Sequence, residues 1–251
     1  MKISINIPTL VLLILAYPAA FMAQTPAATD QGSVILEEFK KILSVDKEYR
    51  INCQMATYAP EQKPVFKSYT VYAKSGKSLL VFAQPERDAG KMILLIEDNL
   101  WQYFPKLQKT IVINASMNLS GGVNLSDIIS ASLFQMYSYT NYEFVKEKNI
   151  HILTFHALTK NSPYGRVKYF YSDGRIDYFE AYSRSGILLK KVVFVKYAKD
   201  SEGQNIPVQI KIINALQDND YSLIQMSGYQ DMKVPDYFFN PSALDKVSVQ
   251  Q

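Results

Sequence analysis

Two histidines, one cysteine and one lysine-bearing glycine turn are the residues of this 251-residue chain with the types to do chemistry. His151 and His156 lie five apart on one predicted strand. An odd offset sends them to opposite faces, so they cannot share a metal ion. Cys53 is the only cysteine, which excludes an intrachain disulfide. It reads as a small strand residue rather than a nucleophile. The chain has no G-x-S-x-G and no histidine beside a plausible Ser or Cys partner, so a nucleophilic triad lacks its setting. Ser75-Gly76-Lys77-Ser78 shares the last residues of a phosphate-binding loop. The motif's first glycine is missing, and the next residues, Leu79–Ala83, read as strand rather than helix. Glu37-Glu38 falls on a solvated helix face, and nothing points to the paired carboxylates of a glycosidase. The expectation is a protein that is not an enzyme and takes no metal or cofactor.

Composition narrows the class. The hydrophobic fraction is 48% and the charged fraction 20%, ordinary for a folded domain. A net charge of +4, with both signs intermixed along the chain, is too mild to argue for nucleic acid. Eighteen Tyr and 13 Phe favour strands. Residues 1–23 have the pattern of a secretory signal peptide: Lys2, the apolar run Leu10–Ala16, then Ala19, Ala20 and Ala23. Cutting after Ala23 leaves bulky Phe21 at the third position upstream, and an uncleaved anchor is the alternative. No cysteine ends this segment, so the chain does not read as a lipoprotein itself. Residues 24–32 read as a flexible leader, and 33–251 as one domain. Asn114, Asn118 and Asn124 each begin an Asn-x-Ser sequon.

The elements come from periodicity. Ser33–Ser44 predicts an amphipathic helix, with Val34, Ile35, Phe39, Ile42 and Leu43 at three- and four-residue spacings. Strand patterns then run Tyr49–Tyr58, Phe66–Lys74 and Leu79–Ala83, and a central hairpin comes after Arg87–Gly90. The second half alternates again through Asn141–Lys148, Ile150–Leu158, a hairpin about Asp173-Gly174, Ile187–Tyr197, Ile206–Leu216 and Tyr221–Tyr229. The sum is a meander of roughly ten strands with two helices, a mainly β chain (α+β) whose sheet should curve strongly or form a partial barrel.

The central hairpin carries the candidate binding face. A two-residue turn at Asp98-Asn99 pairs Glu97 with Leu100, Ile96 with Trp101 and Leu94 with Tyr103. Met92, Leu94, Ile96, Trp101 and Tyr103 then share one uncharged face, read either as packed core or as the wall of an apolar interior. Pairing about Asp173-Gly174 gives a continuing face with Val167, Tyr169, Tyr171, Ile176, Tyr178 and Tyr182. Asp127–Tyr137 predicts a very apolar helix entered past Gly121-Gly122, with Ile129 and Leu133 on one side and Phe134 at its border. Core packing and a movable lid are both open to it.

The same stretch has a family resemblance. Arg87-Asp88-Ala89-Gly90, Asp98-Asn99-Leu100-Trp101-Gln102-Tyr103-Phe104-Pro105 and the Ile-Val-Ile strand beyond them resemble the central signature of the bacterial outer-membrane lipoprotein-sorting family. Val234–Asn240 resembles the closing segment of these LolA-like periplasmic carriers. The resemblance implies an unclosed, LolA/LolB-like β-barrel under a helical lid, enclosing a hydrophobic cavity. It implies a periplasmic protein, acylated lipoprotein or lipid cargo, an inner-membrane transporter and an outer-membrane acceptor as partners, and a monomer. Lipid-binding residues are then expected at Met92, Leu94, Ile96, Trp101, Tyr103, Ile129, Leu133, Phe134, Tyr171 and Tyr178. Arg87 matches the region of an arginine that holds the family's lid; the alternative for it is a solvated turn residue. A binder of another hydrophobic molecule serving an export pump, or a structural envelope protein with a filled core, are the rival functions.

Overall fold

A computed structural model describes residues 31–43, 47–97, 99–114, 118–120, 123–124 and 136–247. After helix α1 (Gln31–Ile42) come six strands: β1 (Glu48–Tyr58), β2 (Val65–Lys74), β3 (Lys77–Gln84), β4 (Met92–Ile96), β5 (Asn99–Phe104) and β6 (Lys109–Ile113). A two-stranded ribbon, β7 (Asn118–Ser120) with β8 (Val123–Asn124), precedes β9 (Tyr137–Val145) and β10 (Ile150–Ala157). The chain continues through β11 (Arg166–Ser172), β12 (Arg175–Tyr182), β13 (Leu188–Lys199), β14 (Asn205–Asn214) and β15 (Tyr221–Asp231). Helix α1 begins at Gln31, two residues before the expected helix start at Ser33. Among the described residues no helix is long and apolar enough to cross a membrane.

The large sheet has 13 antiparallel strands in the order β6-β5-β4-β3-β2-β1-β15-β14-β13-β12-β11-β10-β9, and it is not closed. It is two meanders joined back to back rather than one. The first runs outward from β1 to β6, and the second runs inward from β9 to β15. They meet where β15 pairs with β1, from Tyr49↔Asp231 to Tyr58↔Tyr221. That seam joins the two ends of the sequence, so local alternation predicts each meander but not their junction.

The sheet must bend. Strands lie about 4.8 Å apart, so β2 and β10, seven intervals distant, would be about 34 Å apart if flat. A 12-residue helix is only about 18 Å long. Yet Phe39 of α1 packs against Phe155 of β10 and Tyr169 of β11, with ring centroids 6.0 and 4.5 Å away. Four residues on, Leu43 shares a cleft wall with Tyr69 of β2. Curvature brings both regions under the one helix. The Tyr171 hydroxyl donates to Glu38 Oε2 at 2.6 Å and fixes the helix on this inner face.

Each face has its own core. The inner one gathers Ile35, Phe39, Ile42 and Leu43 with Ile93, Leu95, Leu153, Tyr169, Phe179 and Ile212. On the other face Tyr72, Leu79, Val81, Met92, Leu94 and Tyr103 pack under Val234, Phe238, Phe239, Leu244 and Val247. The C-terminal segment is held there by Lys74 Nζ, 2.9 Å from Asp236 Oδ1, and by Val234 N–H donating to Glu48 Oε2 at 3.0 Å.

Three local expectations change. The central hairpin closes at Ile96↔Asn99 with Leu94↔Trp101 and Met92↔Tyr103, and Glu97 takes φ 56°. That is a two-residue slip from the expected pairing, and a slip of two leaves every side chain on its expected face. A β-bulge between Phe170 and Tyr171 has the opposite effect: Phe170 pairs with Tyr178 and Tyr171 with Ile176. One extra residue reverses the facing of everything beyond it, so Tyr178 leaves the Tyr171 face and Phe179 takes its place. Tyr137 belongs to β9, not to the end of a helix: its buried ring is tied by Tyr164 N–H donating to its hydroxyl at 2.9 Å. Residues 127–135 of the predicted helix lie outside the described residues.

Candidate functional site

The inner face carries an open apolar cleft with about 70 Å³ of free space, or about 740 Å³ when the open solvent at its mouth is counted. Its floor is built by alternation. In β1, Ile51 and Cys53 point inward while Asn52 and Gln54 point out, and β13 does the same with Val192 and Phe194. Val71 of β2, Phe179 of β12, Ile206 and Ile210 of β14, and Ile224 and Met226 of β15 complete the floor, with Ile42 and Leu43 as the helical wall. Among the described residues no charged side chain lines it. At one end the Tyr49 and Tyr229 rings stack with centroids 5.1 Å apart, and the Tyr229 hydroxyl donates to Asp231 at 2.8 Å. Beside them Lys47 Nζ reaches Asp200 Oδ2 at 2.6 Å and Glu202 Oε2 at 3.1 Å. Burial opposes ionisation of Asp200, but Lys47 and the N–H groups of Gln204 and Glu202 outweigh it and hold the carboxyl below its usual range.

Such a site solvates hydrocarbon and offers little reactivity. Burial pushes the Cys53 thiol up to about 12, so it stays protonated and weakly nucleophilic at neutral pH. The histidines stand apart from the cleft floor and from each other. His151 Nδ1 is 2.8 Å from the Tyr142 hydroxyl, and His156 Nδ1 is 2.8 Å from Thr140 Oγ1.

The residues expected to bind lipid are dispersed. Met92, Leu94 and Tyr103 are buried on the other face under the C-terminal segment, and Ile96 and Trp101 pack partly buried beside them. The expected cavity face is therefore a filled core, because Val234–Val247 folds onto it. Tyr171 lies on the inner face against α1. Tyr178 stacks on Phe170 with centroids 4.2 Å apart, and Lys191 Nζ sits 3.8 Å above its ring. Ile129, Leu133 and Phe134 lie outside the described residues. Arg87 is exposed in the 3₁₀ turn Glu86–Asp88. The cleft residues on β1 and β13–β15 were not among those expected from sequence, although their inward alternation was visible. Nothing local marks which of several alternating strands will line a space.

Comparison with known proteins bears on the whole arrangement. A LolA superfamily protein from Nitrosomonas europaea superposes with a TM-score of 0.73 at 24% identity, over 83% of this chain and 97% of that one. An outer membrane lipoprotein-sorting protein domain from Vibrio parahaemolyticus gives 0.65 at 20% identity, over 84% and 97%. A DUF1329 family protein from Desulfovibrio piger gives 0.65 at 19% identity, over 86% and 100%. No curated protein sequence matches the chain. These likenesses establish the fold. A family sequence model described as "Uncharacterized protein" matches residues 74–246, more than half of the chain. The chain belongs to that family, and its unclosed sheet with a helix on the inner face is the fold of the LolA superfamily.

Proposed function

We propose that the protein is a periplasmic carrier that takes acyl chains of lipoproteins, or of related lipids, into the inner-face cleft and ferries them towards the outer membrane. The observation that supports this most directly is the uncharged cleft between α1 and the strands β1, β2 and β12–β15. Burying hydrocarbon is worth about 0.8 kcal/mol per methylene, so a long acyl chain offers on the order of ten kcal/mol gross with no catalytic group needed. The structural relatives described as LolA superfamily and lipoprotein-sorting proteins support the same reading. Export would rest on residues 1–23, loading on an inner-membrane transporter, and unloading on an outer-membrane acceptor. The binding wall is assigned to Ile51, Val71, Val192, Phe194, Ile210 and Ile224 rather than to the Met92–Tyr103 face. Native mass spectrometry of protein purified from the bacterial envelope tests it. Wild type should carry acylated adducts that Ile210→Trp, which fills the cleft, does not. Protein that arrives empty and binds no fluorescent fatty acid would remove the carrier reading.

A further inference from the structure

The outer face of the sheet has a hollow of its own, at the end of β2 away from the C-terminal segment. One register line crosses five strands there. Gln84 of β3 pairs with Ser68 of β2, Ser68 with Gln54 of β1, Gln54 with Gln225 of β15, and Gln225 with Gln209 of β14. Partners across a ladder share a face, and Gln54 points away from the cleft floor. The next line on that face is apolar, Phe66↔Ala56↔Leu223. Both lines border one trough with about 480 Å³ of free space, or about 940 Å³ when the open solvent above it is counted.

Elsewhere this face uses charge, as in Lys168↔Glu180↔Lys191. The trough line is neutral. Lys67 borders it between Phe66 and Ser68, but its ammonium turns to the other face, 3.9 Å from Asp88 Oδ2 and 5.9 Å from the centre of the Phe82 ring. Each glutamine amide can both donate and accept. Gln225 Nε2 donates to the Val208 and Met226 carbonyls at 3.0 and 3.3 Å, which fixes this amide and leaves its oxygen to accept. Phe66 is 64% exposed at the trough edge. Polar groups therefore repeat at the strand spacing over about 19 Å, from Gln84 to Gln209, beside an open aromatic ring. An anion would need a free cation here, and a lipid tail an unbroken apolar wall. A row of pyranose rings has the matching chemistry. Its hydroxyls donate and accept along both edges, and its C–H faces stack on the electron-rich face of an aromatic ring.

We propose that this trough binds an uncharged, extended glycan, a β-linked pyranose strand laid across β3, β2, β1, β15 and β14. The glutamine amides bond its hydroxyls, and Phe66 stacks on a ring face. The site is on the opposite side of these strands from the lipid cleft and stands independently of the carrier reading.

Calorimetric titration of the full chain with cellotetraose, chitotetraose and the curved, α-linked maltotetraose tests it. At least one extended tetramer should bind, at least tenfold more tightly than maltotetraose. Gln54→Ala and Phe66→Ala, both at exposed side chains, should each weaken that binding about tenfold. Lys168→Ala, on the same face outside the trough, should leave it unchanged, and all three variants should keep wild-type affinity for a fluorescent fatty acid. Binding of one extended tetramer alone supports the proposal and names the sugar. Absence of binding by both, equal affinity for maltotetraose, or affinity unchanged in Gln54→Ala and Phe66→Ala overturns it. Attachment to phosphatidylglycerol vesicles that Phe66→Ala weakens, with no glycan bound, also overturns it and assigns the face to a lipid surface.

Discussion

The two sides of the β4–β5 hairpin are alike in sequence and unlike in fate. Met92, Leu94 and Tyr103 on one side, and Ile93, Leu95 and Leu100 on the other, are all buried aliphatic or aromatic residues. The first set is covered by Val234–Val247, whose Phe238 ring meets Tyr72 edge-on at 5.0 Å. The second set belongs to the face that α1 covers, and farther along that face, over β1 and β12–β15, the cover stops short and a cleft remains. A strand face becomes core or cavity according to the segment laid over it, because hydrocarbon buried against either a side chain or a lipid gains about the same transfer free energy per area.

The largest test of that contrast removes the filling of the packed side. Phe238→Ala should cost about 3–5 kcal/mol and Leu94→Ala about 2–5 kcal/mol by creating cavities under the C-terminal segment. Denaturant unfolding measures this, and the folded fraction should keep wild-type affinity for a fatty-acid probe. Affinity lost in step with Leu94 would return the binding site to the Met92–Tyr103 face. Tyr171→Phe comes next. It removes the bond to the Glu38 carboxylate and should cost about 1.5–3 kcal/mol, loosening α1 from the inner face. Wild-type stability for this variant would mean that the aromatic packing of Phe39 alone seats the helix.

Filling the cleft should have the reverse profile. Ile210→Trp is expected to cost about 1–3 kcal/mol by overpacking while weakening probe binding at least tenfold, with Ile206→Trp as an independent filler. Unaltered binding in both would locate the site outside the cleft.

The smallest effect is one of pH. Lys47 holds the Asp200 carboxyl below its usual range at the cleft end. Lys74 does the same for Asp236, an exposed residue of the C-terminal segment, chiefly through their hydrogen bond. A carboxyl with a depressed folded pKa contributes stability that is present above its unfolded value, near pH 4, and is lost as pH falls through the folded value. Lys47→Met and Lys74→Met should each flatten that acid limb in urea midpoints measured between about pH 5 and pH 2. Acid limbs identical to wild type in both variants would show that neither pair links folding to protons.

Much of the architecture was legible in residue patterns. Turns at Asp173-Gly174 and in the central hairpin, together with two-residue alternation, gave the strands and the mainly β class, and the Trp-x-Tyr-Phe-Pro stretch pointed to the LolA-like fold. The facing of Met92, Leu94, Trp101 and Tyr103 survived even a misplaced turn, since a slip of two residues preserves the period. The facing of Tyr178 did not survive, because the bulge at Phe170/Tyr171 inserts a single residue that no composition signal announces.

What the sequence determined by itself is therefore local: which residues alternate, where the chain turns, and that α1 is amphipathic. What only the tertiary structure decided is which apolar face stays open. That depends on β15 pairing with β1 across nearly the whole chain, on the curvature that lets one short helix reach both β2 and β10, and on the C-terminal segment folding over Leu94 rather than over Ile210. Such contacts join residues far apart in sequence. Hydrophobic burial is non-directional, so the pattern of any one strand cannot say which partner will cover it.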